Sequence, residues 1–148
     1  MMNKSVKLGI QGRPDVPPRL FDLVPRYIEK YGYKDCLFAG KVNKQWVKYD
    51  GKKFYEITNS ISYGLLKLGV KKGDRIALIA NNAPEWNMID FAIQQVGAIC
   101  IPIYPTISHD DYKYIFNHSE ASIAFFTNKH LYSKVADIIA DIPTIKET

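Results

Sequence analysis

The 148-residue chain is 47% hydrophobic, 13% aromatic and 24% charged. This fits about one globular domain, burying ~70% of its unfolded surface, and excludes intrinsic disorder. Nine glycines, eight prolines and two cysteines exclude collagen-like, low-complexity and disulfide-scaffold classes, and the net charge of +5 points to no single partner. Lys41, Lys44, Lys48, Lys52, Lys53, Lys67, Lys71, Lys72 and Arg75 mostly flank apolar positions at turns and on helix faces. That is first the pattern of a solvated surface and second one of phosphate or lipid-headgroup recognition. It is not a nucleic-acid footprint, which needs the charge gathered on one face. No apolar run approaches the ~20 residues that span a bilayer. The basic start, Met-Met-Asn-Lys-Ser-Val-Lys, has no apolar stretch behind it and is not a signal peptide. Cys36 and Cys100 lie in apolar stretches without CxxC spacing, so they read as reduced core thiols of a soluble, cytoplasmic protein.

Residues 1–18 contain Gly9, Gly12, Pro14, Pro17 and Pro18 without periodicity and read as an extended arm. The α/β region occupies 19–148. A first helix is expected over 23–31, with Asp22 as N-cap, Pro25 in the first turn and Gly32 as the stop. Residues 36–39 and 44–49 read as a β-hairpin across Gly40-Lys41-Val42-Asn43. Asp50 caps the next helix, whose apolar stripe is Phe54, Ile57, Ile61, Leu65 and Leu68; Gly69 ends it, with Leu65 and Val70 placed for the contact that accompanies a glycine stop.

From residue 72 a strand–helix rhythm begins. Residues 75–80 form a nearly continuous apolar run, the mark of a strand buried on both faces. Asn82, with Glu85 three residues on, predicts a helix start. That helix carries Trp86, Ile89, Ala92, Ile93 and Val96 inward and stops at Gly97. A second buried strand is expected over 98–103. A helix capped by Ser108 and Asp111 follows, bearing Tyr112, Ile115 and Phe116. A third strand spans 122–127, and a last helix presents Leu131, Val135, Ile138 and Ile139. Alternating strands and helices imply a mostly parallel sheet with flanking helices, preceded by the amino-terminal helix and hairpin. Residues 141–146 read as a turn into another strand. The chain is therefore expected to be a truncated piece of a longer protein, with exposed sheet edges prone to self-association.

Ligands of open parallel sheets bind outside the carboxyl ends of the strands, which selects Asn81-Asn82-Ala83-Pro84, Tyr104-Pro105-Thr106 and Thr127-Asn128. None is glycine-rich, and no glycine follows Gly97, so neither common phosphate-cradling loop is present. His109, His118 and His130 are scattered without metal-ligand spacing and fit surface or capping roles. Asp110 and Asp111 fit a helix start better than acid–base work. The serines at 60, 62, 108, 119, 122 and 133 lack a nucleophile elbow, and Cys100 lies within a strand. Pro102 and Pro105 shape a rigid exit loop around Tyr104, which by the switch-point rule borders a ligand cleft in the alternative reading. Trp86 and Tyr112 read as core rather than ligand platforms.

Gly69-Val70-Lys71-Lys72-Gly73-Asp74-Arg75-Ile76-Ala77-Leu78-Ile79-Ala80-Asn81-Asn82-Ala83-Pro84-Glu85-Trp86 resembles the amino-terminal part of the adenylate-forming superfamily. That superfamily includes acyl-CoA synthetases, nonribosomal peptide adenylation domains and luciferases. Phe54-Tyr55-Glu56 precedes this stretch and Gly97-Ala98-Ile99-Cys100-Ile101-Pro102-Ile103-Tyr104-Pro105-Thr106 follows it, in the family's order. Pro-Ile-Tyr-Pro-Thr, with Leu20-Phe21-Asp22-Leu23 upstream, is most similar to the long-chain fatty-acid–CoA ligase branch. The similarity covers roughly 19–140. It implies the first subdomain of the family's large amino-terminal domain. It also implies a parent enzyme that uses ATP, Mg²⁺ and coenzyme A to activate a fatty acid as an acyl-adenylate and pass it to the thiol, with peripheral membrane contact among its open possibilities. The family's phosphate loop, its later aromatic and acidic motifs and its lysine all lie downstream of this chain. The resemblance therefore carries over no catalytic, cofactor-binding or metal residue. The alternative is a stand-alone α/β module that uses the same scaffold to bind a partner.

Overall fold

The computed structural model describes residues 19–146 and Thr148; the expected arm over 1–18 lies outside them. A short 3-10 turn, Leu20–Asp22, runs directly into helix α1, Leu23–Tyr31. Asp22 is therefore not the expected side-chain cap. Its own backbone is helical (φ −77°, ψ −9°), and its carboxylate accepts from the Arg19 guanidinium at 2.7 and 2.8 Å. Gly32, at φ 72°, ends the helix as expected.

Strands β1 (Phe38–Val42) and β2 (Gln45–Tyr49) pair antiparallel from Phe38↔Tyr49 to Val42↔Gln45. The reversal is therefore the two-residue loop Asn43-Lys44, not the four residues from Gly40. Both loop residues have positive φ (50° and 67°), the conformation whose twist matches that of the flanking strands.

Helix α2, Gly51–Lys67, begins where the Asp50 carboxylate accepts the Lys53 N–H at 2.7 Å. It ends as its sequence requires: Gly69 N–H donates to Leu66 O and Val70 N–H to Leu65 O, with Leu65 and Val70 in one apolar cluster. The buried stripe differs in composition. Leu68 is exposed, while Thr58 and Ser62 are buried and donate to the carbonyls of Phe54 and Thr58 at 2.9 and 3.1 Å.

Strands β3 (Arg75–Ile79), β4 (Ile99–Ile103) and β5 (Ile123–Phe126) form a parallel sheet in the order β4-β3-β5. Helix α3, Pro84–Gln95, joins β3 to β4, and α4, His109–Ser119, joins β4 to β5. β3 is the buried centre: Ile76 to Ile79 are wholly inaccessible. β4 is an edge, not a second fully buried strand, so Ile99 is exposed and Pro102, which lacks the N–H a central strand needs, is tolerated. On one side of the sheet Leu65, Val70, Ile76, Ala92 and Ile93 cluster; on the other, Ile79, Ile103, Tyr112, Phe116 and Val135.

The expected last helix is two pieces, α5 (Lys129–Ser133) and α6 (Ala136–Ala140). Val135 leaves helical geometry (φ −131°, ψ 7°) yet is fully buried beside Leu131, Ile138 and Ile139. All four stripe residues thus reach the core, but through a kink instead of a straight face. Beyond α6, Lys146 N–H donates to Ser122 O at 2.8 Å, at the start of β5. Among the described residues no helix is long and apolar enough to cross a membrane.

Candidate functional site

The crossover through α3 moves one way along the sheet and that through α4 moves the other, so the two helices cover opposite faces. Their entry loops separate above the carboxyl ends of β3 and β4, the point where such sheets open a crevice. A cleft of about 800 Å³ lies there. Its floor is Ala80 and Ile103. One wall is Asn81, Asn82, Ala83, Pro84, Trp86 and Asn87; the opposite wall is Tyr104, Pro105 and Thr106; Phe38 and Ala39 of the hairpin close a third side.

The α3 wall has no side-chain cap. Ala83, not the expected Asn82, is the N-cap, and Pro84 takes the first helical position, where its missing N–H costs nothing. This end is fixed instead from the hairpin: Tyr49 Oη donates to Glu85 Oε1 at 3.0 Å. Gly40 packs so close that a Cβ there would sit 2.7 Å from Pro84 Cδ. The α4 wall is fixed locally. Ser108 Oγ accepts the Asp111 N–H at 3.2 Å, and the Asp111 carboxylate accepts from both Ser108 N–H and hydroxyl, the expected reciprocal cap. Tyr112 Oη donates to Tyr104 O at 3.1 Å and ties the exit loop to α4. Burial raises the Tyr112 phenol above its ordinary pKa; burial, then the Glu85 hydrogen bond, raises that of Tyr49.

The structure therefore brings together two of the three strand-end segments. Thr127-Asn128 stays apart, and Asn128 Oδ1 caps α5 by accepting the Leu131 N–H at 3.0 Å. Trp86, expected in the core, is half-buried on the cleft wall; Ala92 and Ile93 are fully buried as expected, and Met88 and Phe91 of α3 are buried as well. Phe38, Ala39 and Asn87 were not selected from the sequence. The hairpin's approach depends on Gly40 meeting Pro84, a contact between segments far apart in the chain.

The remaining candidates lie elsewhere. His109 approaches Asp137 at 3.9 Å with both side chains exposed, His118 stacks on Tyr114, and the His130 carbonyl accepts from Ser133 Oγ. Ser60, Ser62, Ser119 and Ser122 donate to backbone carbonyls. Cys36 is exposed, not core; its Sγ donates to Phe38 O at 3.4 Å. Cys100 is half-buried, and burial, with Asp90 alongside, pushes its thiol up to about 12. A thiol held protonated in this way is a poor nucleophile. Among the described residues no three His, Cys, Asp or Glu side chains gather to hold a metal ion.

Among the described residues the cleft lining offers amides (Asn81, Asn82, Asn87), the hydroxyls of Thr106 and Tyr104 and aromatic faces, with no lysine, arginine, histidine, cysteine or carboxylate. Such a surface orients a bound group through hydrogen bonds and stacking. It presents no charged group to neutralise a phosphate and no imidazole or carboxylate to act as a general base near neutral pH.

Residues 25–147 match the family described as AMP-binding enzyme. The chain is 36% identical over 84 residues to the long-chain-fatty-acid–CoA ligase FadD15 of Mycobacterium bovis, covering 57% of this chain and 14% of that protein. It is 32% identical over 101 residues to fatty acyl-CoA synthetase A of Dictyostelium discoideum, covering 68% of this chain and 15% of that one. The chain thus spans about a seventh of the length of these relatives. Its fold superposes on the anthranilate CoA ligase AuaEII, solved with anthranoyl-AMP, with a TM-score of 0.74 at 21% identity, over 89% of this chain and 25% of that one. The motif order, the three-stranded parallel sheet with its hairpin and the family match agree: the chain belongs to the AMP-binding enzyme family, within the adenylate-forming superfamily.

Proposed function

We propose that this chain is the amino-terminal α/β subdomain of an AMP-forming long-chain fatty-acid–CoA ligase. The observation that supports this most directly is that Asn81-Asn82-Ala83-Pro84-Glu85-Trp86, which resembles the superfamily, and Pro102-Ile103-Tyr104-Pro105-Thr106, which resembles that branch, fold onto opposite sides of one cleft. In the complete enzyme a fatty-acid carboxylate attacks the α-phosphate of ATP, pyrophosphate leaves, and coenzyme A thiol then displaces AMP from the acyl-adenylate. ATP, Mg²⁺, coenzyme A and the fatty acid are thus requirements of the parent enzyme, which works in the cytoplasm.

The residues described here do not fit Mg²⁺-ATP. The cleft presents no cation toward a phosphate and no carboxylate pair for the metal, and no glycine follows Gly97 to form a phosphate loop. The subdomain's part is accordingly positional, a rigid three-sided wall against which the rest of the enzyme closes.

The test is pyrophosphate release. The purified 148-residue chain is expected to release none in response to a fatty acid. The product of the source gene read beyond Thr148, carrying a Ser/Thr/Gly-rich loop after the next strand, is expected to release it. Fatty-acid-dependent release by the 148 residues alone would overturn the reading. So would a natural stop codon after Thr148, which would turn the search to a stand-alone module binding a partner at this cleft.

A further inference from the structure

Asp90 of α3 is the one charged side chain buried among the described residues, at 7% exposure. Its carboxylate has only neutral neighbours. Gln94 Nε2 donates to Oδ2 at 2.7 Å, and the Cys100 thiol lies alongside, kept protonated by burial and by the Asp90 charge. No described lysine, arginine or histidine comes within ion-pair distance of it. No described cluster there can hold a metal ion either. Buried carboxylates are ordinarily paired with a cation, because taking a charge out of water costs far more than one amide offsets.

The packing of α3 shows from which side a cation can reach it. Ala92 O and Gln95 Oε1 meet Ser62 of α2, and Ile89 and Ile93 meet the sheet. With about 3.6 residues per turn, Asp90 and Gln94 fall on the side of α3 turned away from α2, toward β4. β4 is the edge, and no described strand lies beyond it. Ile99 N–H donates to Asp74 O, so Ile99, Ile101 and Ile103 turn their backbone groups toward β3, and Cys100 and Pro102 turn theirs outward. Pro102 has no N–H, which leaves Cys100 with the one outward donor and makes this edge a poor template for an added strand. What covers the edge is therefore recognised through side chains, and the group waiting there is a buried negative charge.

We propose that Asp90 is one half of an ion pair whose cation, a lysine or arginine, is carried by a segment of the parent enzyme outside residues 19–148 that packs across α3 and the outer edge of β4. The proposal rests on the ligase reading, which supplies the longer chain. Charge complementarity selects the occupant. Gln94 engages one carboxylate oxygen and a thiol is a weak donor, so the other oxygen keeps its capacity for a donor that brings positive charge. Pro102, on the same face of β4 as Cys100, is exposed and offers an apolar surface to the aliphatic stem of that side chain. A second copy pairing edge to edge would need the N–H that Pro102 lacks in both copies.

The experiment is native-state amide exchange across α3 and β4, in the 148-residue chain and in the product of the source gene read beyond Thr148, each with and without Asp90→Asn. Asparagine keeps the shape and still accepts from Gln94, so the variant is expected to fold, and matched circular dichroism spectra check it. In the 148-residue chain the uncharged variant is expected to exchange as slowly as the parent or more slowly, since a buried charge without a cation costs stability. In the longer product it is expected to exchange on the order of 100-fold faster, because it strands the buried cation. Faster exchange by the same factor in both proteins would overturn the proposal and leave Asp90 a structural acceptor for Gln94. Unchanged or slower exchange in the longer product would overturn it too, since no cation would be there to strand. Pyrophosphate release is measured on the same longer product. Release together with either of those exchange results would sink this proposal alone, whereas a stop codon after Thr148 would sink it together with the ligase reading.

Discussion

The two walls of the cleft are held by different kinds of interaction. The α4 wall is specified within nine residues: Ser108 and Asp111 cap each other's backbone, and Tyr112 reaches back to the Tyr104 carbonyl. The α3 wall has no local cap. It is placed by partners some forty residues upstream, through Tyr49 on Glu85 and Gly40 against Pro84. One wall is therefore a property of its own segment, and the other is a property of the hairpin's docking. Damage to the hairpin is expected to travel to the cleft, whereas damage to the α4 cap is expected to stay where it is made.

The largest effect follows from the cluster that docks the hairpin. Phe54 is fully buried, stacked on Phe38 and edge-on to Phe91 at 5.8 Å, so it joins β1, α2 and α3. Phe54→Ala is expected to cost about 3–5 kcal/mol in urea unfolding, a large part of the stability of a domain this size. It should also open the α3 wall. A cost below about 1 kcal/mol would show that the hairpin is not packed on that ring.

Two smaller changes separate the walls directly. Ser108→Ala removes the α4 cap and is expected to cost about 1 kcal/mol, with faster amide exchange confined to the first turn of that helix. Tyr49→Phe removes the hydroxyl tether and is expected to cost about 0.5–1.5 kcal/mol, with faster exchange in both hairpin strands and at the start of α3. Native-state hydrogen exchange reads the two patterns. If both variants loosened the same amides, the distinction between local and remote placement would fail.

The same distinction explains what was legible in the sequence. Gly69 and Gly97 stop their helices as read, because a glycine stop is chemistry of adjacent residues: positive φ, two backbone hydrogen bonds and one apolar contact. The Ser108 cap is legible for the same reason, and the cleft was half legible, since two of its walls are strand ends. Its hairpin wall was not, because it depends on a long-range packing contact. Trp86 was misread likewise. Its place in the helical stripe is real, but only the position of the hairpin decides that the ring faces a cleft. β4 looked buried because its residues are apolar; neighbour order made it an edge. At Val135 periodicity gave the buried residues and missed the kink, since a kinked helix buries the same residues as a straight one.

The smallest effect is silent at neutral pH and appears only in alkali. Tyr49 and Tyr112, one tether on each wall, both have pKa values raised by burial, and the Cys100 thiol on the edge strand is raised from 9.0 to about 12. In each case the folded protein keeps a proton that the unfolded chain gives up at lower pH. Above pH 9 the unfolded state therefore binds fewer protons than the folded one, and stability falls as pH rises. Below the ordinary values both states are protonated and these groups contribute no slope. Urea midpoints are thus expected to be independent of these three groups from pH 6 to 8 and to fall through the window that opens near 9. Tyr49→Phe should flatten part of that fall while loosening the hairpin, and Tyr112→Phe should flatten another part while loosening only the Tyr104 loop. Cys100→Ala should remove the earliest part of the fall and loosen neither wall, because the thiol ties no loop. If all three variants kept the parent slope, the protons would be leaving from groups unconnected with the cleft, and its walls would not be held as described.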